Sequence, residues 1–236
     1  MHTLGLGFAL LLAGSASAAA ALQVQPLMLR LTTKEPVAAV TIHNSDAAEY
    51  LLQAEVFRWS QDGNGRDVLS QADDVLVTPP VVTLGKKSQQ TLRLGALQGL
   101  KLQTAEQGYR LILTRMPNQP PPPGTVALHL QVVLPVLKEA AVAGPQKTGF
   151  TLAPRRDGTL WLRGQNSGPV HTKVVGIAQN GREWTLSQYL LPGHAWEIPL
   201  KMPVEEKHSI TLLTQTCCEG EVLRQPVSMA HGKASP

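Results

Sequence analysis

The residues with side chains suited to catalysis or metal binding are seven histidines and two cysteines in a chain of 236 residues. A zinc site needs such ligands at short, fixed spacings, and a thiol protease needs a cysteine within reach of a histidine. The histidines form no HExxH or similar pattern, and the adjacent Cys217 and Cys218 rule out a disulfide framework and a multi-cysteine metal site. A pairing of either cysteine with His194 or His208 lacks the flanking residues of a known protease. Since GxSxG and phosphate-loop motifs are also missing, we predict a protein that is not an enzyme and binds no metal or cofactor.

The clearest binding chemistry lies in the stretch 125–137, where apolar residues alternate with others. Successive side chains of a strand point to opposite faces, so a period of two predicts a strand with one apolar face. That face is formed by Val126, Leu128, Leu130, Val132, Leu134 and Val136. Pro135, on the other face, cannot donate a ladder hydrogen bond and is expected at a sheet edge or strand end. Because an exposed apolar edge aggregates, this strand must either be covered by its own protein or pair with another chain.

The elements around this stretch are also predicted to be strands. Short β-branched and apolar runs alternate with turns rich in Gly, Asn, Asp and Pro, and no run has a sustained period of 3.6. About seven strands precede residue 138, the number expected of an immunoglobulin-like sandwich. Thr78, Pro79 and Pro80 separate two apolar segments and predict a bend where the strand crosses between sheets. We therefore predict an all-β fold with one domain over 21–138 and a second β-sandwich over 139–236.

Composition fits a folded protein that is exported from the cytoplasm. With 43% hydrophobic and 16% charged residues the chain can bury a core, and its net charge of +4 is scattered, so nucleic-acid binding is not expected. Residues 1–20 are predicted to be a secretory signal, because an apolar run over 4–12 precedes the small residues Ala16, Ser17 and Ala18. No segment reaches the roughly 18 apolar residues of a membrane-spanning helix. Membrane insertion is therefore not expected.

A series of short motifs resembles one protein family when taken in order. The motifs are VTIHN at 40–44, QAEVFRW at 53–59, LVTPPVVTL at 76–84, QTLRLG at 90–95, YRL at 109–111, LPV at 134–136, NSGPVH at 166–171 and YLLPG at 189–193. Together they resemble the periplasmic pilus-assembly chaperones of the chaperone-usher pathway, a PapD-like superfamily. The likeness spans almost the whole mature chain and looks closest to the archaic, spore-coat-protein-U-associated branch, which has Leu-Pro-Val where other members carry a basic strand.

The resemblance implies two immunoglobulin-like β-sandwich domains in an L-shaped arrangement with a cleft between them, located in the periplasm. Pilins of these systems lack one strand, and the chaperone lends its own by donor-strand complementation until the outer-membrane usher receives the pilin. The implied partners are pilin subunits and that usher. The implied donor side chains are Val126, Leu128, Leu130, Val132 and Leu134, although Leu134 and Val136 are also expected to turn toward the chaperone's own domain interface.

The resemblance also implies a basic anchor for the terminal carboxylate of the bound pilin. Family chaperones use two basic side chains in the cleft, and Arg30 matches the first. Pro135 stands where the second is expected, so the role moves to Arg110 on the neighbouring strand. The planar fork of arginine can bind a carboxylate bidentately.

Two further interpretations remain open at this point. The chain could be a secreted two-domain immunoglobulin-like adhesin or binding module, although only 4% of its residues are aromatic. An adhesin should also carry an anchor or a donor extension of its own. An exposed apolar row further predicts that free copies cap each other's strand.

Overall fold

The computed structural model describes residues 22–97, 103–117, 130–141, 144–201, 209–215 and 221–229. Every helix or strand within these ranges is a β-strand, which confirms the all-β prediction. No helix in this part of the chain is long and apolar enough to cross a membrane. The predicted signal segment lies outside the described residues, as do Val126, Leu128, Cys217 and Cys218.

The first domain is a sandwich of two sheets. Its strands are β1 (Leu22–Gln25), β2 (Leu29–Leu31), β3 (Val37–Asn44), β4 (Tyr50–Gln61), β5 (Asp67–Gln71), β6 (Val75–Thr78), β7 (Val81–Leu84), β8 (Gln89–Ala96), β9 (Gln107–Met116) and β10 (Gln131–Lys138). One sheet has the order β1-β3-β8-β6, and the other has the order β2-β10-β9-β4-β5, with β7 paired to β4. Alternate residues of β3, β8 and β9 are buried between the two sheets, as expected for strands with one apolar face.

The chain changes sheets at the predicted bend. β6 pairs with β8 in the first sheet, whereas β7 pairs with β4 in the second, and Thr78, Pro79 and Pro80 join the two. The peptide bonds Thr78–Pro79 and Gln25–Pro26 are both cis. Prolines suit such positions because they leave no ladder donor unpaired where the pairing is interrupted.

The second domain is a single hydrogen-bonded path of strands folded around its own core. Its strands are β11 (Thr148–Pro154), β12 (Leu160–Asn166), β13 (Thr172–Gln179), β14 (Arg182–Leu190), β15 (Ala195–Pro199), β16 (Ile210–Gln215) and β17 (Leu223–Met229). The order is β14-β13-β16-β17-β11-β12-β15. Leu152 and Leu162 from one end of this path pack with Val174 and Leu212 from the other, so the two halves form the layers of a second sandwich.

Several strands differ from the sequence prediction for physical reasons. Residues 22–31 read as one β-like run in the sequence but form two strands, β1 and β2, which lie in different sheets on either side of Pro26. β5 was not predicted, because all five of its residues are exposed and give no alternation. β17 was missed because it contains Pro226 and is mostly polar. The predicted strand 125–137 corresponds to β10, whose described part runs one residue further, to Lys138.

Candidate functional site

One edge of β10 is open for most of its length. On one side β10 pairs with β9 from Gln131 to Lys138, but on the other side it pairs with β2 only from Val136 to Lys138. Along Gln131 to Pro135 no strand among the described residues covers this second edge. An uncovered edge presents main-chain donors and acceptors that another strand can use.

Two hydrogen bonds show which residues point to the open side. Arg115 N donates to Leu130 O at 2.9 Å toward β9, whereas Glu139 N donates to Leu31 O at 3.0 Å toward β2. The main-chain N–H and C=O groups of successive residues in a strand point to alternate sides. The groups of even-numbered residues of β10 therefore bond to β9, and those of odd-numbered residues point away from β9. The open groups are therefore the N–H and C=O of Gln131 and Val133, because the parallel pairing with β2 begins where Val136 lies opposite Leu29 and uses the C=O of Pro135. Pro135 is one of the odd-numbered residues, so the N–H that proline lacks would point away from β9, and no hydrogen bond to β9 is lost.

The apolar face of β10 passes from the core to the surface. Val136 and Leu134 are 0% and 3% exposed and belong to the first core, Val132 is partly buried against that core, and Leu130 is 46% exposed. Leu134 and Val136 thus lie inside the sandwich and not at the interface between domains, because their side of the sheet faces the other sheet. Leu130 and Val132 line a small opening of the sandwich together with Leu113. Of the predicted donor residues within the described range, these two remain nearest the surface.

Arg110 lies directly across from Pro135 in the β9–β10 ladder, as the sequence led us to expect. Its guanidinium is paired with Asp67: Nε and Nη2 donate to Oδ2 at 2.9 and 2.6 Å. The same guanidinium lies over the Trp59 ring at 3.5 Å and is 5.6 Å from the ring of Tyr189 in the second domain. The Arg110 side chain is 12% exposed. It is therefore a cation held at the boundary of the two domains.

Two further cations lie near this boundary. Arg30 is opposite Leu137 across the β2–β10 pair, and since opposite residues share a face, it is on the same side of the sheet as Arg110. Lys173, from β13 of the second domain, lies 5.2 Å from the Tyr189 ring that Arg110 also approaches. Lys173 was not identified from the sequence, because the position of Tyr189 beside the first domain depends on how the domains pack. The boundary between the domains therefore carries cations from both of them.

The two domains are joined by apolar packing and by hydrogen bonds. Trp59 and Leu137 pack with Leu191 of the second domain. The buried side chain of Gln61 acts as a main-chain mimic, because Nε2 donates to Tyr189 O at 2.8 Å and Oε1 accepts from Leu191 N at 2.9 Å. These contacts fix the side of the cleft that carries Arg110.

A second connection lies further along, just before β9. His171 N and Nδ1 both approach Glu106 Oε2, at 2.9 and 2.6 Å, and both side chains are 2% exposed. Glu106 N in turn donates to Pro169 O at 2.8 Å. A buried carboxylate paired in this way resists separation of the domains, because opening would leave it without partners.

A partly buried polar cluster holds the inner end of β10. Asp74 Oδ2 accepts from Lys138 Nζ at 2.8 Å and from Tyr109 Oη at 2.7 Å, and Oδ1 accepts from Arg58 at 2.8 Å. Burial raises the pKa of Asp74, but the bonds from Lys138 and Tyr109 and the nearby positive charges outweigh it, so this pKa is lowered. Burial and the bond to Asp74 raise the pKa of Tyr109. Lys138 is thus a structural residue at 4% side-chain exposure and is not available to a ligand.

Two immunoglobulin-like sandwiches with cations at their boundary, one of them with an open edge strand, define a class of two-domain binding proteins. The family model described as pili and flagellar-assembly chaperone, PapD N-terminal domain, matches residues 21–138. The chain therefore belongs to the pili and flagellar-assembly chaperone family, and the predicted recognition is confirmed. A comparison with curated proteins found no match.

Solved structures share the fold at low sequence identity. The pre-assembly complex of the chaperone CsuC with the tip adhesion protein CsuE, from the archaic Csu pili of Acinetobacter baumannii, matches with a TM-score of 0.70 and 17% identity, over 89% of this chain and 100% of that one. The SafA pilin–SafB chaperone complex of Salmonella enterica gives 0.65 and 16%, over 89% and 97%. The E. coli chaperone DraB gives 0.59 and 16%, over 88% and 96%. These likenesses confirm the predicted two-domain fold.

Proposed function

We propose that this protein is a periplasmic chaperone that lends β10 and the segment before it to pilin subunits and delivers them to an outer-membrane usher. The observation that carries the proposal is the open edge over Gln131 to Pro135 beside an apolar face that becomes exposed at Leu130. The family and the pilin and tip-protein complexes of its structural relatives support it. They give no support to the alternative of a secreted adhesin.

Binding at this edge combines two contributions. The outward N–H and C=O groups of Gln131 and Val133 can pair with a strand of the pilin, and each such hydrogen bond contributes about 0.5–1.5 kcal/mol net. Leu130 and Val132 can bury their exposed parts in the pilin's groove, with Val126 and Leu128 continuing the row by their predicted spacing. A fully buried Leu or Val contributes about 1.5–3 kcal/mol, so the row adds several kcal/mol before the costs of association. No catalytic step is required.

The carboxylate anchor remains part of this proposal. Arg110 is supported as the main anchor because it is nearly buried, lies across from Pro135 and is held flat on Trp59. Arg30 shares its face of the sheet, and Lys173 approaches from the other domain. The carboxyl terminus of a pilin in the cleft would then be fixed at one end of the strand that pairs with β10, which sets the register of pairing.

The test is co-expression of Leu130→Asp with a pilin encoded beside this chain's gene, followed by recovery of the periplasmic complex. A charge on the apolar face should reduce recovery at least tenfold, since an unpaired carboxylate would enter an apolar groove. Leu76→Asp is a matched control, because Leu76 is 49% exposed against 46% for Leu130 and lies on β6 of the other sheet. Equal recovery for wild type and Leu130→Asp, with both chaperones folded, would overturn the donor-strand proposal.

A further inference from the structure

Arg110 already holds a carboxylate in the free protein. Nε and Nη2 both donate to one oxygen of Asp67, at 2.9 and 2.6 Å, so the side of the guanidinium fork that best binds a carboxylate is filled. One face of the guanidinium lies over Trp59 at 3.5 Å. Because guanidinium hydrogen bonds form only at its edges, a second carboxylate that uses the Nε edge has to replace the first.

The two partners differ in how easily they can move. The Arg110 side chain is 12% exposed and packed between aromatic rings, whereas the Asp67 side chain is 37% exposed. Asp67 begins β5, an edge strand whose residues are all exposed. A carboxylate released from such a position returns to water at little cost, whereas the cation cannot leave without unpacking the cleft.

The backbone that carries Asp67 is fixed, so release needs only a side-chain rotation. Gly63 O accepts from Glu197 N at 2.8 Å, and Gly65 O accepts from Gln188 Nε2 at 2.7 Å, which ties the β4–β5 turn to the second domain. Gly65 has φ of +70°, a left-handed backbone conformation that favours glycine. The turn therefore stays in place when the Asp67 carboxylate dissociates from Arg110.

We propose that Asp67 is an internal placeholder for the terminal carboxylate of the pilin: it occupies Arg110 in the free chaperone and is displaced when a pilin binds. This inference rests on the proposed carboxylate anchor. The exchange replaces one carboxylate by another, so Arg110 is never left as an unpaired, nearly buried cation. Asp67 thereby lowers the affinity of the cleft and favours ligands that bring a carboxylate over neutral ones.

The test uses the full mature chain and a synthetic peptide with the sequence of a pilin's C-terminal strand, made with a free carboxylate and, separately, as the C-terminal amide. Asp67→Asn removes the charge but keeps the shape, and we expect it to bind the free acid roughly two- to tenfold more tightly than wild type, with no gain for the amide. Asp67→Ser is a second variant with the same expectation. Glu183→Gln is the matched control, because Glu183 pairs with Arg224 at 2.6 Å on an exposed part of the second domain.

The outcomes separate this inference from the proposed function. An unchanged or weaker affinity of Asp67→Asn for the free acid, or an equal gain for the amide, would overturn the placeholder role while leaving chaperone function standing. If wild type binds acid and amide equally and Arg110→Ala binds as wild type does, the anchor at Arg110 is wrong and the placeholder with it. A failure of donor-strand binding is detected independently, as unaffected recovery of the complex with Leu130→Asp.

Discussion

Replacing Val133 by proline should weaken pilin binding without unfolding the chaperone. Val133 faces outward on β10, so its N–H is free for a partner strand and makes no bond to β9. Proline at this position removes only this donor. Pro135, two residues later, has the same orientation in the strand and shows that β10 forms with a proline there. The variant therefore isolates one main-chain hydrogen bond of the proposed complex.

The expected magnitude is that of one net hydrogen bond. A loss of about 0.5–1.5 kcal/mol corresponds to an affinity roughly two- to twelvefold weaker. Free-protein stability should change by less than about 1 kcal/mol, because no ladder bond is lost and the side chain is 46% exposed. Val132→Pro is the contrasting variant: its N–H points to β9, so the free protein itself should be destabilised by about 1–3 kcal/mol, because a ladder hydrogen bond is lost and its acceptor on β9 is left unpaired.

The assay is titration of purified chaperone variants with a pilin, with urea unfolding of each free variant in parallel. Val133→Ala keeps the N–H and corrects for the lost side chain. If Val133→Pro binds the pilin as tightly as Val133→Ala, then strand pairing along this edge does not contribute to the complex. A loss of stability as large as that of Val132→Pro would instead show that the assignment of outward residues is wrong.

Two predictions concern the framework that positions this edge. The pKa of Asp74 is lowered from 3.8, so its ionised form contributes stability that is present above pH 3.8 and is lost as pH falls through the folded-state pKa. The difference in unfolding free energy between wild type and Asp74→Asn should therefore narrow below pH 3.8. Urea unfolding across a pH range of about 2–7 measures this difference, and a constant difference would contradict the prediction. Gln61→Leu leaves the buried Leu191 N–H unpaired and should lower the free energy of unfolding by about 1–3 kcal/mol in the same assay. Ser60→Ala, which removes an exposed hydrogen bond, is the control. A smaller loss for Gln61→Leu than for Ser60→Ala would mean that Gln61 does not join the domains.

The sequence predicted the strand at the centre of the candidate site. Alternation is local, so it identified the strand that includes Leu130 and Leu134 and showed that these side chains share one face, but it did not show that Leu134 lies in the core of the sandwich instead of at the domain interface. The effect of Pro135 on hydrogen bonding is equally local, and an edge position followed from it. The family motifs added the two-domain fold, which short-range patterns alone do not specify.

Features that depend on distant contacts could not be predicted in this way. The open edge exists because β2 pairs with only the last residues of β10. The length of β2 cannot be predicted from the sequence of β10. Asp67 and Arg110 are separated by 43 residues, and their pairing follows from the hairpin of β4 and β5, of which β5 gave no pattern. Lys173 reaches the cleft only because the second domain packs where it does.

The passage of one row of side chains from the core to the surface has a consequence for how such chaperones diversify. Val136 and Leu134 are constrained by the chaperone's own stability, whereas Leu130 is half exposed, so in the proposed complex its side chain is constrained mainly by the partner. Selection for binding a new pilin can therefore alter the outer half of the strand while the inner half keeps the domain folded. The same division offers an engineering route: cargo preference can be changed at one end of a single strand, with little effect on the lifetime of the unloaded protein.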